Sequence, residues 1–572
     1  MSARPSIDLD APTAHPVPDQ HGANLFTTDP QLAALLPVYL PPELVTHLTP
    51  RFEQLGALAG GRLDDLAGTA DKHPPELQLR SRSGQDDPRI LKHPAYVEME
   101  RLAFGEYALA AISHRSDVLG WPGQMPATVK YVLTYLFVQA EFGLCCPVSM
   151  TDSLTRTLKK FGAPELVEKY LPSLTSLDLD TLSQGAMFMT EQGAGSDISA
   201  TATRARPDPD HPGAWLLEGD KWFCSNPDAA LAMVLAHVDG APAGMKGVSL
   251  FLLPRDLEDG SHNRYRIVRL KDKLGTRSMA SGEIRLEGAR AYLVGELGRG
   301  FVQMADMVNN SRLSNGVRAA GLMRRAVSEA LHIARHREAF GRKLVEMPLM
   351  RRQLMKLVLP AEQARTMVFQ TAAALRRADA GEPGAYALAR ILTPLIKFRA
   401  CRDARKVTGD AMEVRGGCGY IEEWADPRLV RDAHLGSIWE GTSNIVALDV
   451  VRAIKRESSL DALMAHVDGL LGASAMDAAL RARFDAQLPR VRVLAEAAAA
   501  DGGDVLARRA ASGLYHLATA AAMAWEAARI GTPDRLHLAG LVLQHRLEAA
   551  DPLAAAFDAP AQAAAEAVFL IP

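Results

Sequence analysis

At 572 residues and 61.7 kDa the chain is too long for one core, and with 48% hydrophobic residues it has the apolar surface for three or four domains. A formal net charge of −3, with 23% charged residues, gives no overall field that would draw nucleic acid or an anionic membrane, so small molecules are the default partner. Five cysteines, with Cys145 and Cys146 adjacent and none in a C-x-x-C, exclude a disulfide framework and a metal-ligand set and suit a reducing cytoplasm.

The start, Met1 to Asp10, is polar and lacks the apolar core of a leader peptide, and no later apolar run is long enough to cross a bilayer. Pro5, Pro12, Pro16, Pro18 and Pro30 among polar residues predict an extended or partly disordered arm over residues 1–30. From about 31 to 180 apolar residues recur at three and four, as in Leu32, Leu35, Leu36 and Tyr131, Leu133, Leu136, Phe137, which predicts helices. The stretch from His73 through Gly84 to Pro94 is rich in turn residues and is expected to be a loop between two helical blocks. Between about 181 and 297 short runs such as Ala232 to Val238 and Gly247 to Leu253, bounded by Gly, Pro and Asp, predict a compact β domain. Helical periodicity returns over 298–456, in Val317 to Arg337 and Met350 to Arg376, and implies a bundle. The remainder, 457–572, is Ala-rich, lysine-free and acidic on balance, and reads as an added helical domain. The expected class is therefore α+β, mainly α, divided at 1–180, 181–297, 298–456 and 457–572.

Several stretches carry candidate chemistry. Met189 to Asp197, containing Thr190 and Ser196, puts small residues and hydroxyls where backbone approaches a ligand, although a bare loop has the same composition. Gly219 to Asn226 sets Trp222 and Phe223 beside Ser225 on a strand, which suits stacking a flat ring; interior packing explains the two aromatics as simply, and is the preferred reading of them alone. Arg337 to Gly341, with Phe340, ends a long helix, and Gly416 and Gly417 stop another. In Leu435 to Ile445, Glu440 follows Ile438 and Trp439, and Gly441 removes bulk after it. A pocket wall built there holds one carboxylate in poorly hydrated surroundings, as a general base requires; a surface Glu before a capped helix is the alternative. Thr442, Ser443 and Asn444 offer N-cap oxygens to the next helix, whose first amides are suited to an anionic ligand. Walker, zincin and nucleophile-elbow motifs are missing from the sequence, which weighs against hydrolase and nucleotidase chemistry.

Taken in order, Met189 to Asp197, Gly219 to Asn226, Lys273 to Ser278, Arg337 to Gly341, Glu413 to Tyr420 and Trp439 to Asn444 resemble the acyl-CoA dehydrogenase superfamily over roughly residues 90–456. The resemblance implies a helical domain, a β-barrel and a helical bundle. It implies FAD as cofactor, an acyl-CoA thioester as substrate, an electron-transfer acceptor, and a homo-oligomer, dimer or tetramer. Glu440 matches the family's base, which takes the α proton while the β hydride passes to flavin N5. The alternative base position of some members falls on Ser311, which cannot serve. By motif, Met189, Thr190, Ser196 and Ser225 match flavin or substrate contacts, and Phe223 stands where a tryptophan commonly stacks on the flavin. Arg337 and Phe340 match residues reaching the FAD of a neighbouring subunit, and Gly416, Gly417, Thr442 and Asn444 match the remaining dinucleotide contacts. Glu413 replaces a common glutamine.

Asn24 to Phe26, His73 to Leu77, His93 to Ala95, Trp222 to Ser225, Lys271 to Gly275 and Ser437 to Gly441, with the added C-terminal domain, are similar to the AidB adaptive-response branch. That likeness carries a second reading, a flavin-holding DNA-binding protein that protects against alkylation and retains vestigial dehydrogenase activity. DNA is possible but not favoured, because an acidic, lysine-free domain lacks the clustered cations a duplex needs. Arg481, Arg483, Arg490 and Arg492 are expected to be a solvated helix face.

Overall fold

The computed structural model describes residues 16–551, 553 and 559–571. Most of the arm expected over 1–30 lies in residues 1–15, outside that set. The described part is packed: Leu25 and Phe26 are buried, Leu25 N donates to Gly56 O, and Gln20 Nε2 donates to Ser328 Oγ. Helix Pro42–Gly60 starts with proline, whose missing N–H costs nothing there, and buries Leu44, Leu48, Phe52 and Leu55 along one stripe. The turn-rich stretch after it is a correction to the expected loop. Its residues form an antiparallel hairpin of β1 (Glu76–Arg80) and β2 (Asp86–Leu91), masked by the turn residues around it although Glu76 to Arg80 alternates and Leu77 and Ile90 pack against the barrel core.

Seven strands make the central sheet: β3 (Gly185–Phe188), β4 (Arg204–Pro207), β5 (Ala214–Ser225), β6 (Leu231–Val238), β7 (Val248–Pro254), β8 (Tyr265–Leu270) and β9 (Ser281–Leu293). The pairings β6–β4–β5–β9–β7–β6 close a ring, with β3 added parallel to β6 and β8 antiparallel to β9. Closure removes most exposed edges, and the inward residues Ala205, Leu217, Val234, Phe251, Ile284 and Leu286 fill it as a separate apolar core.

Three long helices follow, Gly300–His336, Pro348–Asp379 and Ala385–Arg415, packed on one another. Helices Ser459–Gly472, Ala478–Ala499, Ala507–Ile530 and Asp534–Val542 lie against this bundle as expected for an added helical region. Their contact is fixed by buried ions. Arg535 pairs with Glu526 at 2.6 Å and Glu362 at 2.8 Å, while Arg365 pairs with Glu362 at 3.0 Å and Asp29 at 2.9 Å. Asp29 also caps helix Pro30–Tyr39 through Leu32 N, so one chain of ions ties N-terminal, bundle and C-terminal helices together. Removing one member strands its buried partner, a cost of roughly 3–5 kcal/mol.

Barrel and bundle meet at loop Gly275–Met279. A side chain at Gly275 would strike the Arg431 backbone at 2.7 Å, so only glycine allows this approach. Thr276 N donates to Asp432 Oδ1 at 2.6 Å, and Ser278 Oγ donates to Glu141 Oε1 at 2.8 Å. Burial, then the nearby Glu141 carboxyl, pushes Asp432 up to about 7. Its proton is therefore bound in the folded state across pH 4 to 7 but lost from the unfolded chain, so its stabilising contribution is full below pH 4 and falls as pH rises through 7. Asp432→Asn keeps an acceptor for Thr276 and cannot ionise. Its thermal midpoint is expected to gain on wild type between pH 5 and pH 8, by the equivalent of about 2 kcal/mol; parallel midpoint curves for the two proteins would contradict this.

Candidate functional site

Glu440 stands in the loop between helices Ala425–Gly436 and Ser443–Glu457, with φ of 54°, and Gly441 follows at 104°. A left-handed glutamate is uncommon and persists only where its surroundings over-determine it. Here the backbone is gripped at three successive carbonyls. Lys397 Nζ donates to Trp439 O at 2.8 Å and Gly441 O at 2.7 Å, and Arg312 Nε donates to Glu440 O at 3.1 Å. The carboxylate itself accepts from Ser311 Oγ on one oxygen and Asn315 Nδ2 on the other. Ser311, Arg312 and Asn315 all come from the first long helix, where residues four apart share a face. Ser311 is thus no base but a donor that orients the carboxylate. Burial lowers Lys397 to about 8, with Cys401 and Glu440 as opposing influences, so at neutral pH it stays mainly an ammonium beneath the loop.

The barrel brings the other candidates toward this point. Cys146, buried, lies within hydrogen-bond reach of Ser225 at the strand end and near enough to Glu440 for that carboxylate's charge to raise its thiol. Loop Met189–Asp197 is pinned by Glu191, which pairs with the buried Lys221 at 2.6 Å and accepts from Thr203 Oγ1 at 2.6 Å and Ala202 N at 2.7 Å. Lys221 also donates to Leu235 O at 2.8 Å, and Trp222 N donates to Thr190 O at 2.8 Å. Met189 and Thr190 are half-buried and Ser196 is exposed. Phe223 corrects the preference for interior packing: its ring is 58% exposed, with Lys271 Nζ 5.0 Å from its centroid and 3.3 Å from that of Trp222. A bulge in the β5–β9 register between Lys221 and Cys224 accompanies this outward placement.

The helix-end candidates form a second group. Arg337 caps the first long helix and donates to Arg415 O at 3.1 Å, next to Gly416, whose φ is +75°. Phe340 is 96% exposed, and Tyr420 beside this end is 81% exposed. From Ser311 to Arg337 is 26 residues of one helix, roughly 40 Å of rise, so the two groups cannot converge on one small ligand within one chain.

Thr442 occupies the N-cap of the following helix but makes no side-chain cap bond. Ser443 Oγ instead accepts from Arg402 and Asn444 Oδ1 from Arg508, at 3.2 and 3.4 Å, so the expected capping is corrected to contacts with arginines. Arg481, Arg483 and Arg492 pair with Asp485, Glu548 and Asp461, as a solvated or locally neutralised face would. Sequence reading missed Lys397, Asn315, Arg312 and the Glu191–Lys221 pair. For the helix the available signal was the spacing of polar Ser311, Asn315 and Arg318 on an otherwise apolar face. Among the described residues, no cluster of His, Cys, Asp and Glu suits a metal.

Comparison with known proteins agrees with this geometry. Residues 298–455 match the acyl-CoA dehydrogenase C-terminal domain, 186–289 the acyl-CoA dehydrogenase middle domain, and 16–181 the adaptive response protein AidB N-terminal domain. AidB of Escherichia coli (strain K12) is 35% identical over 72% of this chain and 75% of its own length. Acyl-CoA dehydrogenase family member 11 of Caenorhabditis elegans is 30% identical over 78% of this chain and 74% of its own. Among solved structures, Caenorhabditis elegans ACDH-11 in complex with C11-CoA aligns with a TM-score of 0.87 at 26% identity, covering 96% of both chains. The apo form of Bd2924 aligns at 0.82 and 29% identity, over 89% of this chain and 99% of that one. With a closed barrel set against a helical bundle that grips a single glutamate, the chain belongs to the acyl-CoA dehydrogenase family, as an FAD-dependent oxidoreductase carrying an AidB-type N-terminal domain.

Proposed function

We propose that this protein catalyses α,β-dehydrogenation of an acyl-CoA thioester with Glu440 as the base. The observation carrying the reading is the grip on Glu440: both carboxylate oxygens and the flanking carbonyls are fixed, leaving one carboxylate aimed by its partners beside the Trp439 ring. Such orientation is what general-base catalysis asks of a side chain. The ACDH-11 complex with C11-CoA supports the thioester class.

The residues present fit a flavin. Phe223 offers an exposed aromatic face, and side-chain positions at Gly193 and Gly195 look onto open space, as a bound flat ring requires. When bound, FAD supplies the acceptor for the hydride leaving the substrate β carbon, and an electron-transfer partner takes the two electrons onward. In this reading Met189, Thr190, Ser196, Phe223 and Ser225 hold the ring from the barrel, and Thr442 and Asn444 contact the dinucleotide. Arg337, Phe340, Gly416 and Gly417 serve another subunit's FAD, because roughly 40 Å of helix separates them from their own Glu440. The exposed Phe340 and Tyr420 then bury themselves in a dimer or tetramer. The four-part division at 1–180, 181–297, 298–456 and 457–572 and a cytoplasmic location belong to the same proposal. Among the described residues no helix is long and apolar enough to cross a membrane.

One observation favours the DNA-binding reading. Arg399, Arg402, Arg490, Arg508, Arg509 and Arg546 line a cavity of about 690 Å³ between bundle and added helices. Among the described residues only Arg399 of the six has a carboxylate at ion-pair distance, Asp403. The cleft holds more positive charge than the domain's acidic balance suggested. Binding to duplex DNA is still expected to be weak at physiological salt, and a titration at two salt concentrations measures it. Tight binding with a steep salt slope, lost on charge reversal at Arg508 and Arg509, would shift the assignment to DNA protection.

Glu440→Gln retains one acceptor and loses the basic site. FAD content is expected to persist while anaerobic bleaching of the flavin band by acyl-CoA slows roughly a hundredfold or more; bleaching at the wild-type rate would remove Glu440 from the role. For assembly, Arg337→Ala is expected to lower both flavin retention and oligomer content, since a charge-assisted phosphate contact is among the stronger ones and FAD stabilises whichever form binds it. Sedimentation velocity and the flavin-to-protein absorbance ratio, with and without added FAD, report on this, and no change in either would place the dinucleotide site within one chain.

A further inference from the structure

Arg318 is fully buried, yet both of its terminal nitrogens lack a hydrogen-bond partner. Only Nε is engaged, donating to Ser314 O at 3.3 Å, and among the described residues no carboxylate pairs with it. The guanidinium instead lies 4.8 Å from the Trp439 ring and 5.4 Å from the Phe142 ring. Those two rings stack at 5.9 Å with planes 18° apart. Aromatic faces offset part of the desolvation of a cation, but they do not neutralise it or satisfy its N–H groups. Trp439 Nε1 is a further buried donor without a partner, and Asn315 Oδ1 a buried acceptor without one.

These atoms surround the base. Ser311, Asn315 and Arg318 are spaced four and three apart on one helix face, and the first two hold the Glu440 carboxylate. The Nε bond to Ser314 O folds the Arg318 side chain back along the helix, toward the turn that carries Ser311 and Asn315. The guanidinium thus lies against the ring of Trp439, the residue just before Glu440, on the helix face whose Ser311 and Asn315 hold the Glu440 carboxylate. Two free Nη donors in a rigid fork match a carboxylate, and a buried cation without a counter-ion calls for an anion rather than a neutral acceptor.

We propose that Arg318, with Trp439 Nε1, receives the free carboxylate of a short ω-carboxyacyl thioester, so that the substrate is the monothioester of a short dicarboxylic acid rather than a plain fatty acyl-CoA. Arg318 is then the specificity-determining residue at the closed end of the acyl site, and Asn315 Oδ1 is completed by water. This rests on the dehydrogenase reading and narrows its substrate class.

The test compares glutaryl-CoA and adipyl-CoA with pentanoyl-CoA and hexanoyl-CoA on the FAD-loaded protein without oxygen, reading both perturbation of the flavin spectrum on binding and bleaching. Wild type is expected to bind and respond to the ω-carboxy thioesters at least tenfold better. Arg318→Met is expected to reverse the order, and Glu440→Gln to keep the binding preference while losing the bleaching. Equal or better binding of the alkyl thioesters by wild type would overturn the proposal and leave the dehydrogenase reading standing. If neither series binds or bleaches, this proposal falls, and the dehydrogenase reading is then decided by bleaching with a C11 acyl-CoA, whose failure too would remove it. The wild-type comparison decides the matter even if Arg318→Met does not fold, and an Arg318→Lys variant with its order unchanged but affinity reduced would retain the ionic role.

Discussion

The site depends on one contact, the first long helix closing on the Glu440 loop. The loop carries two successive left-handed residues, a conformation that costs energy at a glutamate and that its own sequence does not impose. Ser311, Arg312 and Asn315 reach it from one helix and Lys397 from another. Their combined hydrogen bonds offset the strain and leave the carboxylate with a single orientation. The helix is long and buried along most of its length, so it transmits the rigidity of the bundle core to the loop.

The barrel contributes through a different kind of constraint. Its loops are irregular, and an irregular loop needs buried anchors to hold a ligand surface. The Glu191–Lys221 pair serves Met189–Asp197 in that way: against the burial that would raise it, Lys221 lowers the Glu191 carboxyl, and burial in turn lowers Lys221. The barrel loop Gly275–Met279 is anchored to the bundle by Asp432 and to the N-terminal helices by Glu141, both raised by burial. Polar groups therefore set the relative placement of flavin-side and base-side residues, while the two apolar cores set the stability of each part.

The added C-terminal helices are joined to the bundle by the Arg535, Glu526, Glu362 and Arg365 chain, which reaches Asp29 at the N-terminal side. A buried ion chain gives less stability than its length suggests but fixes geometry closely, because any shift strands a charge. It brings Arg508 onto Asn444, so the extra region reaches the helix that follows the Glu440 loop.

Periodicity and punctuation in the sequence determined the order of helix, sheet and helix, and its ordered motifs carry the family. Local sequence marked Glu440 as a candidate beside the plain alternative of a surface glutamate, and the ordered motifs tipped the balance toward it. The β1–β2 hairpin stayed hidden among turn residues although Glu76 to Arg80 alternates, and the outward Phe223 was not legible, because period-two patterning does not say which face of a strand meets solvent. Ser311 shows the limit most clearly: read along the chain it is a base position without a base, and only the approach of residues 129 apart makes it the donor that aims Glu440. Arg318 belongs to the same class. Its charge is legible in the sequence, but its burial against two stacked rings without a counter-ion exists only once the helices have packed.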